Sequence, residues 1–324
     1  MIVAQLVKQW LSRRARYGFT PSIGSIARSL RVLRYRREHR RLCALDVYRN
    51  YVAMPANDDL FHYLSHRFYL SRHLAPRARV ACVLRHYGFE DETFNTSYKY
   101  AVYRAGGLTL WQRCANGCRF AITLSMASRM DAEGDLTIMF EADGACLHRL
   151  SFSWIEGRFA GVEAPLVPFV ARNQGSRPGS HGAIAAFEQA FPHNSPSLFC
   201  TAAMQGVALA VGMTQIAAIK HSAHPFGHDA PPQRAARMAA AYDHVWEQLG
   251  GVELPGPSWL IELPYRLKPL SDIPARHRRR AATRRAHWNE IGEAARAMLA
   301  SKLKRVPRLA PPPTAPAPRQ AASV

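Results

Sequence analysis

The sequence predicts an α+β fold, in which an N-terminal helical region precedes a mostly antiparallel sheet with helices packed against it. Two observations support this class. Between residues 108 and 154, apolar and polar residues alternate along short segments that tight-turn residues separate, which is typical of an antiparallel meander. After this region, apolar residues recur at helical spacing, with further short apolar segments between the helices. Strands that come first and helices that follow favour α+β over an alternating α/β architecture.

The first hundred residues are predicted to be helical and basic. Apolar residues at helical spacing between Ile2 and Leu11, followed directly by arginines, indicate a short amphipathic helix with a basic end. Such a helix can lie in a membrane interface or dock on its own domain, and docking is the arrangement that we expect. Further helices are expected over 23–51, after Asn57, and over 74–87, where Pro76 suits the first turn.

The meander and the elements after it follow from the same patterns. Tight turns are expected at 116–117, 131–134 and 143–144. The expected elements are strands near 108–110, 120–124, 136–140, 147–154 and 162–170, helices over 183–191 and 197–211, a strand over 213–219, a helix over 235–249 and a strand over 259–263. In the order of its elements alone, this part of the chain resembles the GCN5-related acyltransferases (GNAT).

The end of the chain changes composition twice. A basic helix is predicted over 276–299, and after Arg308 the sequence becomes rich in Pro and Ala, which cannot bury enough surface to fold. We therefore divide the chain into four parts. They are a basic helical N-terminal region (1–100), an α+β core domain (101–264), a basic C-terminal helical arm (265–308) and a disordered tail (309–324).

The formal net charge of +20 is concentrated near the two ends. Met1–Arg41 contains 11 Lys/Arg and one Glu, and Tyr265–Arg308 contains 13 Lys/Arg and three acidic residues. The residues between them are almost neutral, with 18 basic and 19 acidic side chains. Concentrated positive charge favours polyanions, such as an anionic membrane surface, an envelope component or nucleic acid. The alternative, that these arginines only keep the protein in solution, stays open at this point.

Other features indicate the compartment. The six cysteines are irregularly spaced in a long chain, which is not the pattern of a disulfide framework. The apolar run after Met1 has no basic residues before it and no small-residue cleavage site, so no signal peptide is predicted. The longest apolar window, 200–219, contains Gln205 and Gln215 and is interpreted as a buried helix followed by a buried strand. We expect a cytoplasmic protein, peripheral to the inner membrane if its basic ends bind lipid.

The glycine-rich stretch 172–182 lies between a predicted strand and a predicted helix. Backbone N–H groups at such a turn and the positive end of the helix can bind phosphate. Gln174, Gly175, Arg177 and Gly179 are therefore candidate contacts for the pyrophosphate of a coenzyme A thioester. The spacing differs from the Arg/Gln-x-x-Gly-x-Gly/Ala of the acyltransferases, and an ordinary loop is the alternative.

Three histidines follow the predicted strand 213–219. His221, His224 and His228 could bind a transition metal, but the proline and glycine between them break any helix that would set their geometry. No metal site is predicted. A single histidine at a strand end is better explained as an acid, a base or a substrate contact, and His224 is our candidate.

Three further residues are candidates for catalysis beside His224. Tyr242 and Asp243 lie on a predicted helix, where they either contact a ligand or belong to the packing of the core. Glu133 belongs to the sequence Glu-Gly-Asp, whose residue types also favour a tight turn without any role in function. We predict that these residues converge with Gln174 on one side of the sheet, with His224 touching Tyr242 or Asp243.

Several motifs lie along the chain in a fixed order: His86-Tyr87-Gly88, Glu133-Gly134-Asp135-Leu136, Asn173-Gln174-Gly175, His224 after its strand, and Tyr242 to Gly251 (Tyr-Asp-His-Val-Trp-Glu-Gln-Leu-Gly-Gly). In these motifs the chain resembles the VirK/YbjX family of bacterial proteins, from about Phe68 to about Ile291. The resemblance implies a role in envelope or outer-surface integrity, virulence and resistance to antimicrobial peptides, without an assigned reaction.

Other chemistries have no support in the sequence. It has no Ser-His-Asp elbow, no Walker loop and no Rossmann fingerprint. No base-reading module accompanies the arginines at 278–285, so a sequence-specific nucleic-acid partner is not expected. Two functions remain: an envelope-associated protein of the VirK/YbjX kind, and an acyltransferase-like enzyme that acts on a small molecule or a peptide.

Overall fold

Eight strands form one mostly antiparallel sheet. The computed structural model describes residues 7, 10, 11, 14, 15, 18–52, 62–65, 68–127, 132–175, 180–225 and 232–304. The strands are β1 (Leu108–Ala115), β2 (Cys118–Met126), β3 (Leu136–Ala142), β4 (Ala145–Ile155), β5 (Val167–Gly175), β6 (Gln215–Ile219), β7 (Val252–Glu253) and β8 (Ser258–Glu262).

Strands β1 to β5 follow one another as an antiparallel meander, which confirms the predicted α+β class with a mostly antiparallel sheet. One pair is parallel: Phe169 and Val170 of β5 pair with Ala217 and Ala218 of β6. Beyond β6 the strand order is β8 and then β7, both antiparallel to their neighbours. Among the described residues, β5 and β6 are thus the one pair of neighbouring strands that run parallel.

Helices precede the sheet and also connect its later strands. None of the helices in the described part of the chain is both long and apolar enough to cross a bilayer. The helices are α1 (Phe19–Ser29), α2 (Arg31–Arg34), α3 (Arg36–Ala44), α4 (His62–Ser65), α5 (Pro76–Thr93), α6 (Thr96–Tyr103), α7 (His181–Ala190), α8 (Pro196–Ala210), α9 (Pro232–Ala241), α10 (Asp243–Gln248) and α11 (Ala275–Ala300).

The helices cover the sheet through large apolar side chains. Helix α5 packs on β4, while α8 packs on β3, β4 and β5. Between α7, α8 and the sheet the rings of Phe140, Phe187, Phe191 and Phe199 contact one another with centroids 5.1–5.5 Å apart. Such aromatic pairs add to the stabilisation that burial provides. This core holds the meander against the helices that follow it.

The basic helix near the C-terminus, α11, packs along α8 and reaches β1. Its buried residues include Ile291, Ala295 and Leu299, which come from the apolar positions of its second half. The arginines of its first half, from Arg276 to Arg280, are exposed. The helix therefore has one end in the core and one end in solvent. The division of the chain into four parts stays a prediction.

Two predicted elements differ in their bounds. The strand expected over 162–170 lies at Val167–Gly175, because the chain turns tightly before it: a Cβ on Gly157 would lie 2.4 Å from the carbonyl oxygen of Val162. The single helix expected over 235–249 is two helices that meet at Tyr242. The short edge strand β7 had no sequence signal, since two residues show no periodicity.

Two other predictions fall largely outside the described residues. Of the amphipathic helix expected between Ile2 and Leu11, the structure describes only Val7, Trp10 and Leu11, all helical. The Pro/Ala tail, 309–324, also lies outside them.

Candidate active site

Buried polar side chains from separate parts of the chain meet beside the carboxyl ends of β5 and β6. His224 follows β6 after one short turn of 3-10 helix, and its Nε2 lies 2.9 Å from Glu133 Oε1 and 3.1 Å from the hydroxyl of Tyr242. All three residues are buried. We call these three residues and Arg172 the His224 cluster. The predicted contact between His224 and Tyr242 is present in the structure.

Glu133 reaches the cluster because the segment before β3 folds back over β4. Gly134 has a φ of 141°, and a Cβ on it would lie 2.8 Å from the backbone nitrogen of Phe152. Only glycine accepts both the positive φ and this approach without strain. The backbone N–H of Leu70 donates to the carbonyl of Ala132 at 2.9 Å, which ties the segment to the chain before α5. Gly134 thus allows the close approach to β4 that brings Glu133 to the His224 cluster.

Arg172 completes the cluster from strand β5. Its Nε lies 3.2 Å from Glu133 Oε2 and donates to Gln174 Oε1 at 2.9 Å. The Arg172 and Glu133 side chains are only 11% and 8% exposed. Removal of one partner of a buried ion pair leaves the other charge uncompensated, at a cost of about 3–5 kcal/mol. Sequence reasoning did not select Arg172; a charged residue directly after the apolar run 167–171 was the available signal.

Tyr242 is held at the junction of α9 and α10. Its ring makes an edge-to-face contact with the imidazole of His224, with centroids 5.1 Å apart. Burial, followed by the charge of Glu133, raises the pKa of the Tyr242 hydroxyl well above its ordinary value. The phenol therefore stays protonated at neutral pH and acts as a hydrogen-bonding group beside the imidazole.

Asn173 anchors this junction from the other face of the sheet, since neighbouring residues of a strand point in opposite directions. Its Nδ2 donates to the carbonyl of Ala241 at 2.6 Å. Its Oδ1 accepts from His148 Nε2 at 2.7 Å and from the Ser197 hydroxyl at 3.1 Å. Burial lowers the pKa of His148 to about 4, so this imidazole is neutral. His148 was missed by the sequence reasoning, because it occupies an inward position of an apolar strand and looks like a core residue.

Asp243 does not join the His224 cluster. Its Oδ1 accepts from the backbone N–H of His221 at 3.1 Å and from Trp259 Nε1 at 3.1 Å, and its Oδ2 contacts His221 Nδ1. Asp243 therefore links the turn after β6 to strand β8. Tyr242 and Asp243, although adjacent, thus contact two different histidines, His224 and His221. The sequence alone does not show this.

Two more buried carboxylates lie between α5 and the sheet. Asp135 and Glu90 are 3% and 0% exposed, and each is surrounded by aromatic and hydroxyl donors. Glu133 and Asp135 therefore contact separate sets of partners, although Gly134 alone separates them. The donors to Asp135 are the hydroxyls of Tyr69, Tyr87 and Ser153, and those to Glu90 are Trp154 Nε1 and the hydroxyls of Tyr98 and Tyr103.

The predicted phosphate contacts are only partly described. Gln174 and Gly175 are exposed at the carboxyl end of β5, next to Arg172. Arg177 and Gly179 lie outside the described residues. Within the part of the chain that the structure describes, no group of three His, Cys, Asp or Glu side chains could hold a metal ion. His228, the third histidine of the metal alternative, lies outside these residues.

The cluster provides the parts of a proton-transfer site. The contact between His224 Nε2 and the Glu133 carboxylate fixes the orientation of the imidazole. Arg172 fixes the carboxylate in turn. Catalytic bases are commonly oriented by a neighbouring group in this way.

Comparisons with known proteins identify the family. The family model described as "Protein of unknown function (DUF535)" matches residues 29–296. The "Uncharacterized protein YbjX" of Escherichia coli (strain K12) is 25% identical over 190 residues, which cover 58% of this chain and 56% of that protein. The match thus spans little more than half the length of this relative. No solved structure shows a significant match. The chain belongs to the DUF535 family of proteins of unknown function, which confirms its resemblance to the VirK/YbjX proteins.

Proposed function

We propose that this protein is an acyltransferase-like enzyme, in which His224 moves the proton of the acyl acceptor and a coenzyme A thioester is the donor. One observation carries the proposal: the His224 cluster lies where the two parallel strands β5 and β6 separate. In sheets with parallel strands, ligands bind outside the carboxyl ends of the strands, at the point where the connections diverge.

The separation of the strands is visible in their pairing. Only Phe169 and Val170 of β5 pair with β6, although β5 continues to Gly175 and β6 to Ile219. Helix α7 begins at His181, shortly after β5 ends at Gly175, and the positive N-terminal end of a helix can bind the phosphates of a donor. The order β4-β5-β6-β8-β7, with a parallel pair at its centre, supports the likeness to the GCN5-related acyltransferases.

The chemistry follows from the residues at hand. An acceptor amine or hydroxyl attacks the thioester carbonyl, a new C–N or C–O bond forms, and the C–S bond breaks. The acceptor's proton goes to the imidazole of His224, and Glu133 stabilises the imidazolium. The leaving thiolate takes a proton from that imidazolium, which restores the neutral base. Tyr242 holds the ring in place throughout.

Donor binding is the first test. Acetyl-coenzyme A at a hundred times its dissociation constant is expected to raise the free energy of unfolding by about 2.7 kcal/mol. Thermal denaturation with and without the thioester measures this, and adenosine diphosphate controls for binding of the nucleotide part alone. Absence of any stabilisation at millimolar acetyl-coenzyme A would contradict the proposal.

Proton transfer is tested by replacing the base. His224→Gln is expected to lower thiol release from acetyl-coenzyme A by roughly 10²–10⁴-fold, the usual contribution of general acid–base catalysis, while donor binding is retained. His221→Gln, which changes the neighbouring histidine on Asp243, is the matched control and should retain most of the activity. Equal loss in both variants, with both folded, would show that His224 has no special role.

We propose a second role, at the anionic face of the bacterial envelope, as the VirK/YbjX resemblance implies. The supporting observation is the exposed basic end of α11, where Arg276, Arg278, Arg279 and Arg280 all face solvent. Clustered arginines attract anionic lipid by about 1 kcal/mol each near the surface. A role in virulence or in resistance to antimicrobial peptides would follow from an enzyme that works on an envelope component.

Membrane association is tested with vesicles. We expect co-sedimentation with anionic vesicles but not with neutral ones, and loss of binding at high salt because exposed charges are screened. The double variant Arg279→Glu/Arg280→Glu should reduce binding strongly. Arg104→Glu/Arg158→Glu makes the same charge change at exposed positions elsewhere and should reduce it less. Equal binding to both lipids would refute an electrostatic contact.

A further inference from the structure

A cavity of about 280 Å³ lies between α8, the end of α10, the segment after β8 and the middle of α11. A smaller cavity of about 80 Å³ adjoins it and shares four of its residues. Small-molecule sites usually begin at about 300 Å³, so the two cavities together have the size of a small ligand. The shared residues are Leu198, Leu249, Leu267 and Trp288.

The cavity has an apolar side and a cationic side. Leu249 is 2% exposed, and Leu198 and Trp288 are partly buried against the core. The charged residues in the lining are Lys268, Arg284 and Arg285. Where the structure describes the chain, neither cavity has an acidic residue in its lining. A pocket with this division accepts a molecule that is apolar at one end and negatively charged at the other.

Arg284 indicates where the charged end would lie. Its Nε is buried and has no hydrogen-bond partner among the described residues. A buried donor without a partner costs free energy, and more so when it belongs to a charged group. Arg285 differs, because its Nη2 donates to the carbonyl of Lys268 and helps to shape the rim. A carboxylate or phosphate at Arg284 would accept from Nε and from the adjacent amino group together.

We propose that this cavity binds an amphipathic anion, whose carboxylate or phosphate pairs with Arg284 and whose short apolar chain lies against Leu249 and Trp288. None of these residues belongs to the His224 cluster. The proposal therefore does not depend on the acyltransferase proposal, and each can fail alone.

Calorimetry on the full chain tests the site with four defined probes: octyl phosphate, octanoate, octanol and inorganic phosphate. At least one of the two amphipathic anions is expected to bind tenfold or more tightly than octanol and inorganic phosphate, since octanol lacks the charge-assisted hydrogen bonds to Arg284 and inorganic phosphate lacks the apolar contacts. Tighter binding of octyl phosphate would indicate a phosphorylated lipid, and tighter binding of octanoate a fatty acid. Equal affinity for octanol and both anions overturns the proposal.

The variants separate a specific ion pair from general charge attraction. Arg284→Gln should weaken binding of the anion about tenfold or more, whereas Arg280→Gln, which removes one exposed charge from the same helix, should change it little. Thermal denaturation identifies any folding defect of Arg284→Gln, and Arg284→Lys, which keeps the charge but lacks Nε, should also bind more weakly. Equal effects of Arg284→Gln and Arg280→Gln, or unchanged binding in Arg284→Lys, overturn the assignment.

Discussion

Gly206→Ala should lower the free energy of unfolding by about 3 kcal/mol or more, as expected for an added atom in a tightly packed core. Helices α8 and α11 cross at this residue. A Cβ on Gly206 would lie 2.1 Å from the carbonyl oxygen of Gly292 and 2.9 Å from the backbone nitrogen of Arg296. Backbone atoms cannot move aside as a flexible side chain can, so the two helices would have to separate.

Equilibrium unfolding in denaturant measures this effect, and a second glycine provides the control. Gly88 lies inside helix α5, and a Cβ on it would meet no atom within 4 Å. Gly88→Ala should raise stability by about 0.5–1 kcal/mol, because alanine loses less conformational freedom in a helix than glycine. If Gly206→Ala behaves in the same way as Gly88→Ala, the close crossing of α8 and α11 is wrong.

Glu90→Gln should stabilise the protein by about 3 kcal/mol above pH 7 and by little near pH 4.5. Burial raises the pKa of Glu90 from 4.5 to about 7, against the opposing effect of hydrogen bonds from Trp154, Tyr98 and Tyr103. Between these two pH values the folded state holds a proton that the unfolded state has lost. The stabilising contribution of the protonated carboxyl is therefore complete below pH 4.5 and is lost as the pH rises through about 7.

Glutamine removes this pH dependence because its amide stays neutral and can still accept a hydrogen bond. The measurement is the difference in unfolding free energy between variant and wild type from pH 4.5 to pH 8. Glu92→Gln removes an exposed carboxylate from the same helix and serves as the control. A difference that does not change with pH for Glu90→Gln would show that folding does not raise the pKa of Glu90.

Local patterns were enough to predict most elements. The alternation in β1 to β4 and the apolar spacing of α5, α8 and α11 are each visible within a short window, so these elements lie close to their predicted positions. The break at Tyr242 was not predictable, because 235–249 is helical in pattern throughout. A hydrogen bond from Asn173 Nδ2, on strand β5, to the carbonyl of Ala241 holds the chain there instead.

The candidate site shows the same division. The motifs in the sequence singled out Glu133, His224, Tyr242 and Asp243, and the structure brings the first three together. It places Asp243 on His221, and it adds Arg172. Whether Tyr242 or Asp243 faces His224 depends on how helix α10 is rotated after the break at Tyr242. The periodicity of the sequence does not determine this rotation.

By itself, the sequence determined the class of fold, the order of most elements, the family and the concentration of positive charge near the ends. These properties depend on composition, on short motifs and on the periodicity of neighbouring residues, all of which can be observed in a single sequence. Only the tertiary structure decided which polar residues meet. Glu133 reaches His224 because the segment around Gly134 lies on β4, and the cavity beside Arg284 exists because α11 packs along α8. Both depend on contacts between residues far apart in the chain, which form only when the sheet and helices are assembled.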